Sequence, residues 1–356
     1  MYVSTRKCRV LIIRKEVREL ELTPRKMAIL EAIVKYHIAT GEPVGSKWLT
    51  GVLENAPSSA TLRNEMSDLC SLGFLAQPHT SAGRIPTSKG YEFYVSRLMS
   101  EDALPEQLKE TVDEQLKMAS QDTETLTRAA AEILSNITGL PAFYAKLNDD
   151  RVALKRVEVM PMGAHLLMLV AFTSDGRTGN KLLKTAKYFD SDAVKRFSLL
   201  IKTGVEGKTL NELTVGNLQN IFLRSGADAL DFLPLVSAFA QMINDIGKSD
   251  INLCGEHNLY LADASPAEFI SFMDKKEGIL SIIERPLSQA TVIFGSDTGY
   301  RALISRCLAV APFGTKDFPL GRIGVIGSTR MSYDRILPSV AYLALRLSEL
   351  MNENFD

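Results

Sequence analysis

Apolar residues in the first hundred positions recur at helical spacing, in short segments that polar residues and turn formers separate. Thr23-Pro24 predicts the start of a first helix, because threonine caps a helix N-terminus and proline fits its first position. Gly41 predicts the end of this helix, and Ser46 predicts the cap of a short second helix. The apolar sides of the two helices are predicted to comprise Ile29, Leu30, Ile33, Val34 and Ile38, then Trp48, Leu49, Val52 and Leu53.

A third helix is predicted to begin at Ser58 or Ser59, since serine is a favoured capping residue. Gly73 is well placed to end it, because glycine readily adopts the left-handed conformation that follows many helices. The spacing of apolar residues between these points is helical and predicts one buried stripe. That stripe is expected to comprise Leu62, Met66, Leu69 and Cys70.

A hairpin is predicted after the third helix, with two extended segments on either side of a polar loop over residues 77–84. Thr87 or Ser88 then caps a fourth helix. Three helices followed by a hairpin with a polar, basic tip are typical of a winged helix-turn-helix domain. We therefore predict such a domain over residues 22–104, with a linker at its C-terminal end.

The remainder of the chain is predicted to be a sheet domain interrupted by a mainly helical insertion, so the fold class is α+β. Two helices come first, and three strand-like runs then predict an antiparallel meander. Residues from 190 to about 285 are predicted to be mostly helical. Extended segments are predicted after them, and one amphipathic helix is predicted at the C-terminal end. The predicted divisions are residues 105–189 for the first part of the sheet domain, 190–287 for the insertion and 288–356 for the second part.

Charge is unevenly distributed along the 356 residues, although the net charge is only −1. Residues 1–100 hold 14 Lys and Arg against 9 Asp and Glu, whereas the rest holds 27 against 33. A basic first part joined to an acidic body is typical of a nucleic-acid reader attached to a domain with another task. Because an excess of five charges is modest, chance is the alternative at this point.

Other classes of protein receive no support from the sequence. No apolar run of about 18 residues predicts a transmembrane helix or a membrane partner, and we expect a cytoplasmic protein. The four cysteines are scattered and form no CxxC pair, which argues against a disulfide framework or a metal site. The four histidines have no metal-ligand spacing, and no nucleophile elbow or phosphate-binding loop occurs. We therefore expect neither an enzyme nor a bound cofactor.

The first turns of the third helix carry the candidate chemistry. A helix that reads DNA presents short polar and bidentate side chains there, since those side chains reach base edges in the major groove. Arg63 is suited to a guanine and Asn64 to an adenine, and Ser46 and Lys47 of the second helix are expected at the DNA backbone. The alternative is an ordinary amphipathic helix with a solvated face. The remaining candidates on the third helix are Ser58, Ser59 and Thr61.

The polar loop of the hairpin adds a second group of candidates. Arg84 at the hairpin tip is suited to a minor groove or a phosphate, and Gly83 permits close approach of the backbone to a ligand. The other loop candidates for DNA binding are His79, Thr80 and Ser81.

Long segments of the chain resemble the bacterial heat-inducible transcription repressor family, the HrcA type. The segments are LTPRKMAILEAIVKYHIATGEPVGSKWLT, SSATLRNEM, LGFLAQPHTSAGRIPTSKGYEFYV and LGRIGVIGSTRMSYDRILPSVAYLALRLSELM. The resemblance implies a winged-helix domain, a GAF-like domain and a dimerising domain inserted into the latter. It also implies a homodimer that binds an inverted-repeat operator in double-stranded DNA upstream of chaperone genes, and modulation by the GroEL chaperonin.

Residues 1–21 precede the part of the chain that resembles the family, and the segment is basic. A DNA-gripping arm, a harmless extension and a mis-assigned start codon are the alternatives, and we favour the last two. For the whole chain, two rival functions remain. One is a regulator that senses an effector in a GAF-like pocket, and the other is an interaction protein whose winged helix binds protein.

Overall fold

A computed structural model describes residues 22–79, 82–99, 104–119, 122–186, 188–223, 229–258 and 266–355. It confirms a mixed fold of helices and antiparallel sheets. Contacts between Cα atoms divide the chain into two compact units. The described residues of the first unit lie within Met1–Ala145, Ile251–Phe313 and Gly321–Leu350, and those of the second lie within Lys146–Asp250, Gly314–Leu320 and Met351–Asp356.

The N-terminal part of the first unit, called the head below, contains four helices and a short hairpin over residues 22–99. Its buried apolar side chains include Ile33 of α1 and Leu62 of α3, both of which are fully buried. A five-residue π-turn, Tyr94–Leu98, continues the last helix and was not predicted. The elements are α1 (Pro24–Thr40), α2 (Ser46–Val52), α3 (Ser59–Ser71), β1 (Leu75–Ala76), β2 (Ile85–Pro86) and α4 (Ser88–Phe93).

The capping geometry confirms the predicted starts of α1, α3 and α4, but not the predicted cap of α2, because Ser46 is the first residue of that helix and Gly45 precedes it without a side-chain cap. The Thr23 side chain accepts a hydrogen bond from the Lys26 amide, and Gly41 ends α1 with φ 77° in the left-handed region. Ser58, rather than Ser59, caps α3 and accepts from the Thr61 amide at 3.2 Å. These caps accept hydrogen bonds from backbone amides that have no partner inside the helix. Because only a few residue types can do this, helix starts are recognisable in the sequence.

The rest of the first unit, called the body, is built on a five-stranded sheet with the order β7-β3-β10-β9-β8. The three strands at one side, β8, β9 and β10, pair antiparallel in a continuous register. They are buried along nearly their whole length, so helices or loops cover both faces. The strands are β3 (Ala142–Lys146), β7 (Asp250–Cys254), β8 (Thr291–Phe294), β9 (Arg306–Phe313) and β10 (Gly321–Ser328). The helices are α5 (Glu106–Met118), α6 (Thr123–Thr138), α10 (Pro266–Asp274), α11 (Glu277–Ile283) and α12 (Tyr333–Phe355).

The second unit contains a three-stranded antiparallel meander and three helices. Side chains of the central strand alternate, so Leu167, Leu169 and Ala171 are buried against the helices while their neighbours face outward. The helices contribute Phe197 and Phe239 to the same apolar core. The elements are β4 (Leu154–Gly163), β5 (Leu166–Thr173), β6 (Thr178–Lys184), α7 (Ser191–Val205), α8 (Val215–Leu223) and α9 (Ala229–Gly247).

The grouping of these elements differs from the predicted domain divisions. The prediction assigned the meander to the sheet domain and began the insertion at residue 190, but this division falls inside the second unit. The meander has one apolar face, and the helices that directly follow it supply the cover which that face requires. The stretch predicted as mostly helical also contains β7, a strand of the five-stranded sheet.

Candidate nucleic-acid interface

Helix α3 lies in the head with one face buried and one face exposed. Leu62, Met66 and Leu69 are buried as the spacing predicts, and Cys70 is half-buried. Arg63 and Asn64 lie on the opposite, exposed face within two turns of the N-terminus. The helix therefore presents a guanidinium and an amide to the surroundings at the end where its backbone amides also point outward.

The other polar candidates on α3 have structural contacts. Ser59 is half-buried, and its Oγ lies 2.9 Å from the Oγ of the buried Ser46 at the start of α2. Thr61 is also half-buried, and its hydroxyl lies 3.0 Å from the capping Ser58 hydroxyl. The Ser46–Ser59 contact joins the N-terminal ends of α2 and α3, and the Ser58–Thr61 contact lies within the first turn of α3. These hydroxyls therefore contact other side chains of the head.

Lys47 and Ser67 complete the exposed surface near α3. Lys47 is exposed and directly follows Ser46, whose hydroxyl contacts Ser59 at the N-terminal end of α3. Ser67 was missed by the sequence reasoning, although it lies three and four residues after Asn64 and Arg63 on the same exposed face. Helical spacing from Arg63 was the signal that could have found it.

Ion pairs hold the C-terminal half of α3 against the start of α1. The Lys26 ammonium lies 2.9 Å from the Asp68 carboxylate and 3.7 Å from that of Glu65, and Arg25 approaches Glu65 at 3.8 Å. The hydrogen bond to Asp68 is the main reason that the pKa of Lys26 is raised. Both acidic residues of α3 thus have basic partners, which leaves Arg63 as the charge that dominates the exposed face.

The hairpin after α3 is joined to the segment before α2. Leu75 pairs with Pro86 and Ala76 with Ile85, while Val44 and Arg84 exchange two backbone hydrogen bonds of 2.9 and 2.8 Å. A side chain at Gly83 would collide with the Val44 carbonyl. The glycine is therefore required by this internal contact, and the interpretation that it permits the approach of a ligand stays a prediction.

The loop candidates differ in exposure. His79 is exposed at the tip, whereas Arg84 is half-buried and its Nε is buried without a hydrogen-bond partner. Gln77 donates to the Ala82 carbonyl at 3.3 Å and closes the base of the loop. Two further candidates, Thr80 and Ser81, lie outside the described residues.

Other kinds of site find little support in the described part of the chain. No group of three or more His, Cys, Asp and Glu side chains within it is arranged to hold a metal ion. Cys70, Cys254 and Cys307 are free thiols, and burial raises the pKa of Cys254 to about 11. Among the helices described, none combines the length and the apolar character needed to cross a membrane.

Comparison with known proteins was made by sequence and by structure. The family model described as the HrcA protein C-terminal domain matches residues 124–337. The heat-inducible transcription repressor HrcA of Acetivibrio thermocellus is 30% identical over 92% of this chain and 96% of its own length. The protein of the same description from Syntrophobacter fumaroxidans is 30% identical over 94% and 98%. A crystal structure described as a hypothetical protein shares 25% identity and a TM-score of 0.60, covering 94% of this chain and 99% of that one.

Proposed function

Because the chain belongs to the HrcA family of heat-inducible transcription repressors, we propose that it binds an inverted-repeat operator upstream of chaperone genes as a homodimer. In this proposal the head is a winged helix-turn-helix reader and the five-stranded body is the GAF-like domain. The second unit is the inserted dimerising domain. Repression requires only that the bound protein blocks transcription, so the proposal involves neither catalysis nor a cofactor, and the site of action is the cytoplasm, where bacterial DNA lies.

The observation that carries the proposal is the two-sided character of α3. Its apolar face is fixed in the core of the head, and its acidic residues are ion-paired to α1. Arg63 and Asn64 stand on the remaining face at the N-terminal end. A rigid helix that offers a bidentate cation and an amide has the composition needed to read base edges in a major groove.

The assigned contacts divide between bases and phosphates. Arg63 is assigned to the O6 and N7 atoms of a guanine, and Asn64 to the N6 and N7 atoms of an adenine. Lys47, Ser46, Ser58, Ser59 and Thr61 surround the N-terminal ends of α2 and α3, where backbone amides favour a phosphate. Phosphate contacts give affinity for any sequence, and base contacts give the preference for the operator.

The hairpin is assigned to the DNA backbone beside the groove. His79 is exposed at its tip and is suited to a phosphate. The Arg84 guanidinium carries a buried Nε without a partner, so a rotation toward DNA would supply the acceptor that this group requires. Thr80 and Ser81, which lie between them in the sequence, are assigned to the same contact.

The dimer contact is assigned to the outward face of the β4–β5–β6 sheet. Met160, Met168 and Leu182 form one row across the three strands, and Val170 and Phe172 extend the apolar surface along β5. Met160, Leu182 and Phe172 remain 40, 54 and 39% exposed. A second copy is the occupant we favour, because charges of both signs flank the apolar centre, as a self-complementary two-fold interface requires.

Heat control is assigned to the chaperonin GroEL, as the family resemblance implies. A repressor with marginal stability depends on the chaperonin to maintain its native dimer, and unfolded clients withdraw that support on heating. The native fraction then falls by mass action and transcription rises.

A titration of DNA with the purified chain tests the function. The wild-type protein is expected to bind a symmetric inverted-repeat duplex from upstream of a chaperone operon more tightly than a scrambled duplex, by roughly a thousandfold or more. Affinity for both duplexes should fall as salt rises, because released counterions drive phosphate binding. Equal affinity for both duplexes at two salt concentrations would contradict a sequence-specific repressor.

One alternative function is favoured by a specific residue of the body. Arg322 is 5% exposed, its Nε has no partner, and its Nη1 donates to the Gly321 carbonyl at 3.0 Å. Burial lowers the pKa of this guanidinium, and no carboxylate among the described residues is paired with it. An acidic effector bound there would satisfy the cation, which suits a ligand-sensing regulator. A thermal-shift screen of small carboxylic acids and phosphates, followed by operator titration with any stabilising compound, distinguishes this function from chaperonin control.

A further inference from the structure

The end of α1 in the head contacts the start of α12 in the body. Gly41 ends α1 with φ 77°, and the space that a side chain at this position would fill is occupied by the Arg330 guanidinium. Arg330 lies between the last strand of the sheet and α12. The C-terminal end of a helix carries partial negative charge, so a cation placed there is stabilised.

An aromatic contact lies beside this cation. Tyr91 of α4 is 2% exposed and Tyr333 of α12 is fully buried, with ring centroids 6.2 Å apart. Tyr91 Oη lies 2.6 Å from Nδ1 of His37 in α1. Tyr333 Oη donates to the Thr329 carbonyl at 2.6 Å. The head thus meets the body through two buried tyrosines, each of which is fixed by a hydrogen bond on its own side.

Electrostatics at this contact keep the His37 imidazole and the Tyr91 phenol uncharged near pH 7. Burial lowers the pKa of His37, and the nearby Arg330 lowers it further, whereas the Glu42 carboxylate acts in the opposite direction. Burial also raises the pKa of Tyr91. The imidazole and the phenol are therefore neutral near pH 7, and Arg330 of the body and Glu42 of the head are the charges that act on His37.

The same helix connects this contact to the DNA-reading surface. The C-terminal end of α1 carries His37 and Gly41, while its N-terminal end holds α3 through Lys26. Because α1 is a single 17-residue helix, an orientation fixed at one end is transmitted to α3 at the other.

We propose that the seam formed by His37, Gly41 and Tyr91 with Arg330 and Tyr333 holds each head in one orientation on its body, and that Arg330 is a positioning residue for operator binding. This inference rests on the proposed function. In a dimer, heads that are fixed on their bodies have less orientational freedom than released heads. Binding of the second half-site then occurs at high effective concentration, and a released head loses that advantage.

A charge reversal at the seam, with a matched control, tests the inference. Arg330→Glu places a carboxylate at the negative end of α1 and should release the head. Arg335→Glu is the control, because Arg335 also places a guanidinium at the C-terminal end of a helix but within the body, where it donates to the Ile137 carbonyl of α6 at 2.7 Å. Both side chains are largely exposed, so both variants should fold.

Two measurements are made on the full-length chain. The first is the fluorescence anisotropy decay of Trp48, which is the single tryptophan and lies in α2 of the head. The second compares affinity for the complete inverted repeat with affinity for a duplex carrying one half-site.

The expected result separates orientation from base contact. Arg330→Glu should add a fast component to the Trp48 decay and weaken binding to the complete repeat by about tenfold or more. Its affinity for the single half-site should stay within about twofold of the wild type, and Arg335→Glu should match the wild type in every respect.

Several results would overturn the inference. An unchanged ratio of full-site to half-site affinity in Arg330→Glu would contradict a positioning role. Tighter binding of this variant to the complete repeat would also contradict it, because the seam would then be inhibitory. An equal loss in Arg335→Glu would show general destabilisation instead of positioning. If the wild-type chain prefers neither duplex over a scrambled one, the proposed function itself fails and the positioning role falls with it, whereas the other failures leave operator binding intact.

Discussion

Lys47 and Arg63 are both exposed cations of the head, but their positions assign them different roles. Arg63 projects from α3, where bases are within reach of a helix in the major groove. Lys47 stands at the start of α2, where a crossing helix meets the sugar-phosphate backbone. The proposed function therefore assigns affinity for any sequence to Lys47 and preference for the operator to Arg63.

Replacement of Lys47 by alanine should weaken binding to operator and scrambled DNA alike. The loss of one phosphate contact is expected to reduce the slope of log affinity against log salt by about 0.9. Titrations at three salt concentrations measure that slope. Lys109→Ala is the control, since it removes a cation from α5 that is paired with Glu106 on the surface of the body. A loss confined to the operator sequence would show that Lys47 reads bases.

His37 should make the stability of the protein depend on pH. Its pKa is lowered in the folded state, mainly by burial and further by Arg330, so the unfolded chain binds the proton more readily. Stability is then lost as pH falls below the ordinary histidine value of about 6.5. Urea unfolding between pH 8 and 5 should show a flatter profile for His37→Gln than for the wild type.

The neighbouring Glu92 acts in the opposite direction and does not disturb that comparison. Its pKa is raised by burial and by the nearby Asp297, so it favours the folded state as pH falls toward its own titration range. This contribution is present in both proteins. Parallel profiles for His37→Gln and the wild type would contradict the role of His37.

Among the elements, the helices of the head were the most predictable. Their signals are local: Thr23 and Ser58 as caps, Gly41 as terminator, and one apolar stripe on each helix. The exposed face of α3 could be predicted only in part, because the burial of Ser59 and Thr61 depends on contacts with Ser46 and Ser58 that helical spacing alone does not show.

Two equivalent caps allow the role of α3 to be separated from that of α1. Ser58→Ala and Thr23→Ala each remove a side-chain acceptor at a helix N-terminus, so each should lower the free energy of unfolding by about 1 kcal/mol. Only Ser58→Ala should also weaken operator binding, because it loosens the turns that carry Arg63 and removes a hydroxyl from the proposed phosphate contact. Equal effects of the two variants on DNA affinity would indicate that stability alone is responsible.

The sheets were less predictable than the helices. The meander β4–β6 was predicted because its strands follow one another and alternate in polarity. The five-stranded sheet joins β3 and β7 to strands from the far end of the chain, and these long-range pairings leave no periodic signal. β7 was missed for the same reason, since five residues within a helical stretch do not reveal a distant partner.

At the scale of the whole molecule, the division into units depends on which elements cover the meander. The sequence indicates that β4–β6 has one apolar face, but not which helices pack on it. The structure assigns α7 and α9 to that role. The outward face of the same sheet retains exposed apolar side chains, which is the feature that motivates the proposed dimer.

A charge on this outward face should separate the proposed dimer. Met168 lies at the centre of the face between Met160 and Leu182, so Met168→Glu is expected to raise the dimer dissociation constant by about 30-fold or more. Sedimentation velocity over a concentration series measures the change. Leu199→Glu is the control, because Leu199 is 63% exposed on α7 of the same unit. A Met168→Glu protein with the assembly state of the wild type would exclude this face.

The central claim is that Arg63 reads a base, and a double-mutant cycle between protein and DNA tests it most directly. Arg63→Ala is combined with 7-deazaguanine, which lacks the N7 acceptor, at each guanine of the operator in turn. Since a bidentate contact contributes about 1–3 kcal/mol, we predict non-additive losses of about 1 kcal/mol or more at one symmetry-related pair of guanines and additive losses elsewhere. Additive losses at every guanine would show that Arg63 makes no such contact.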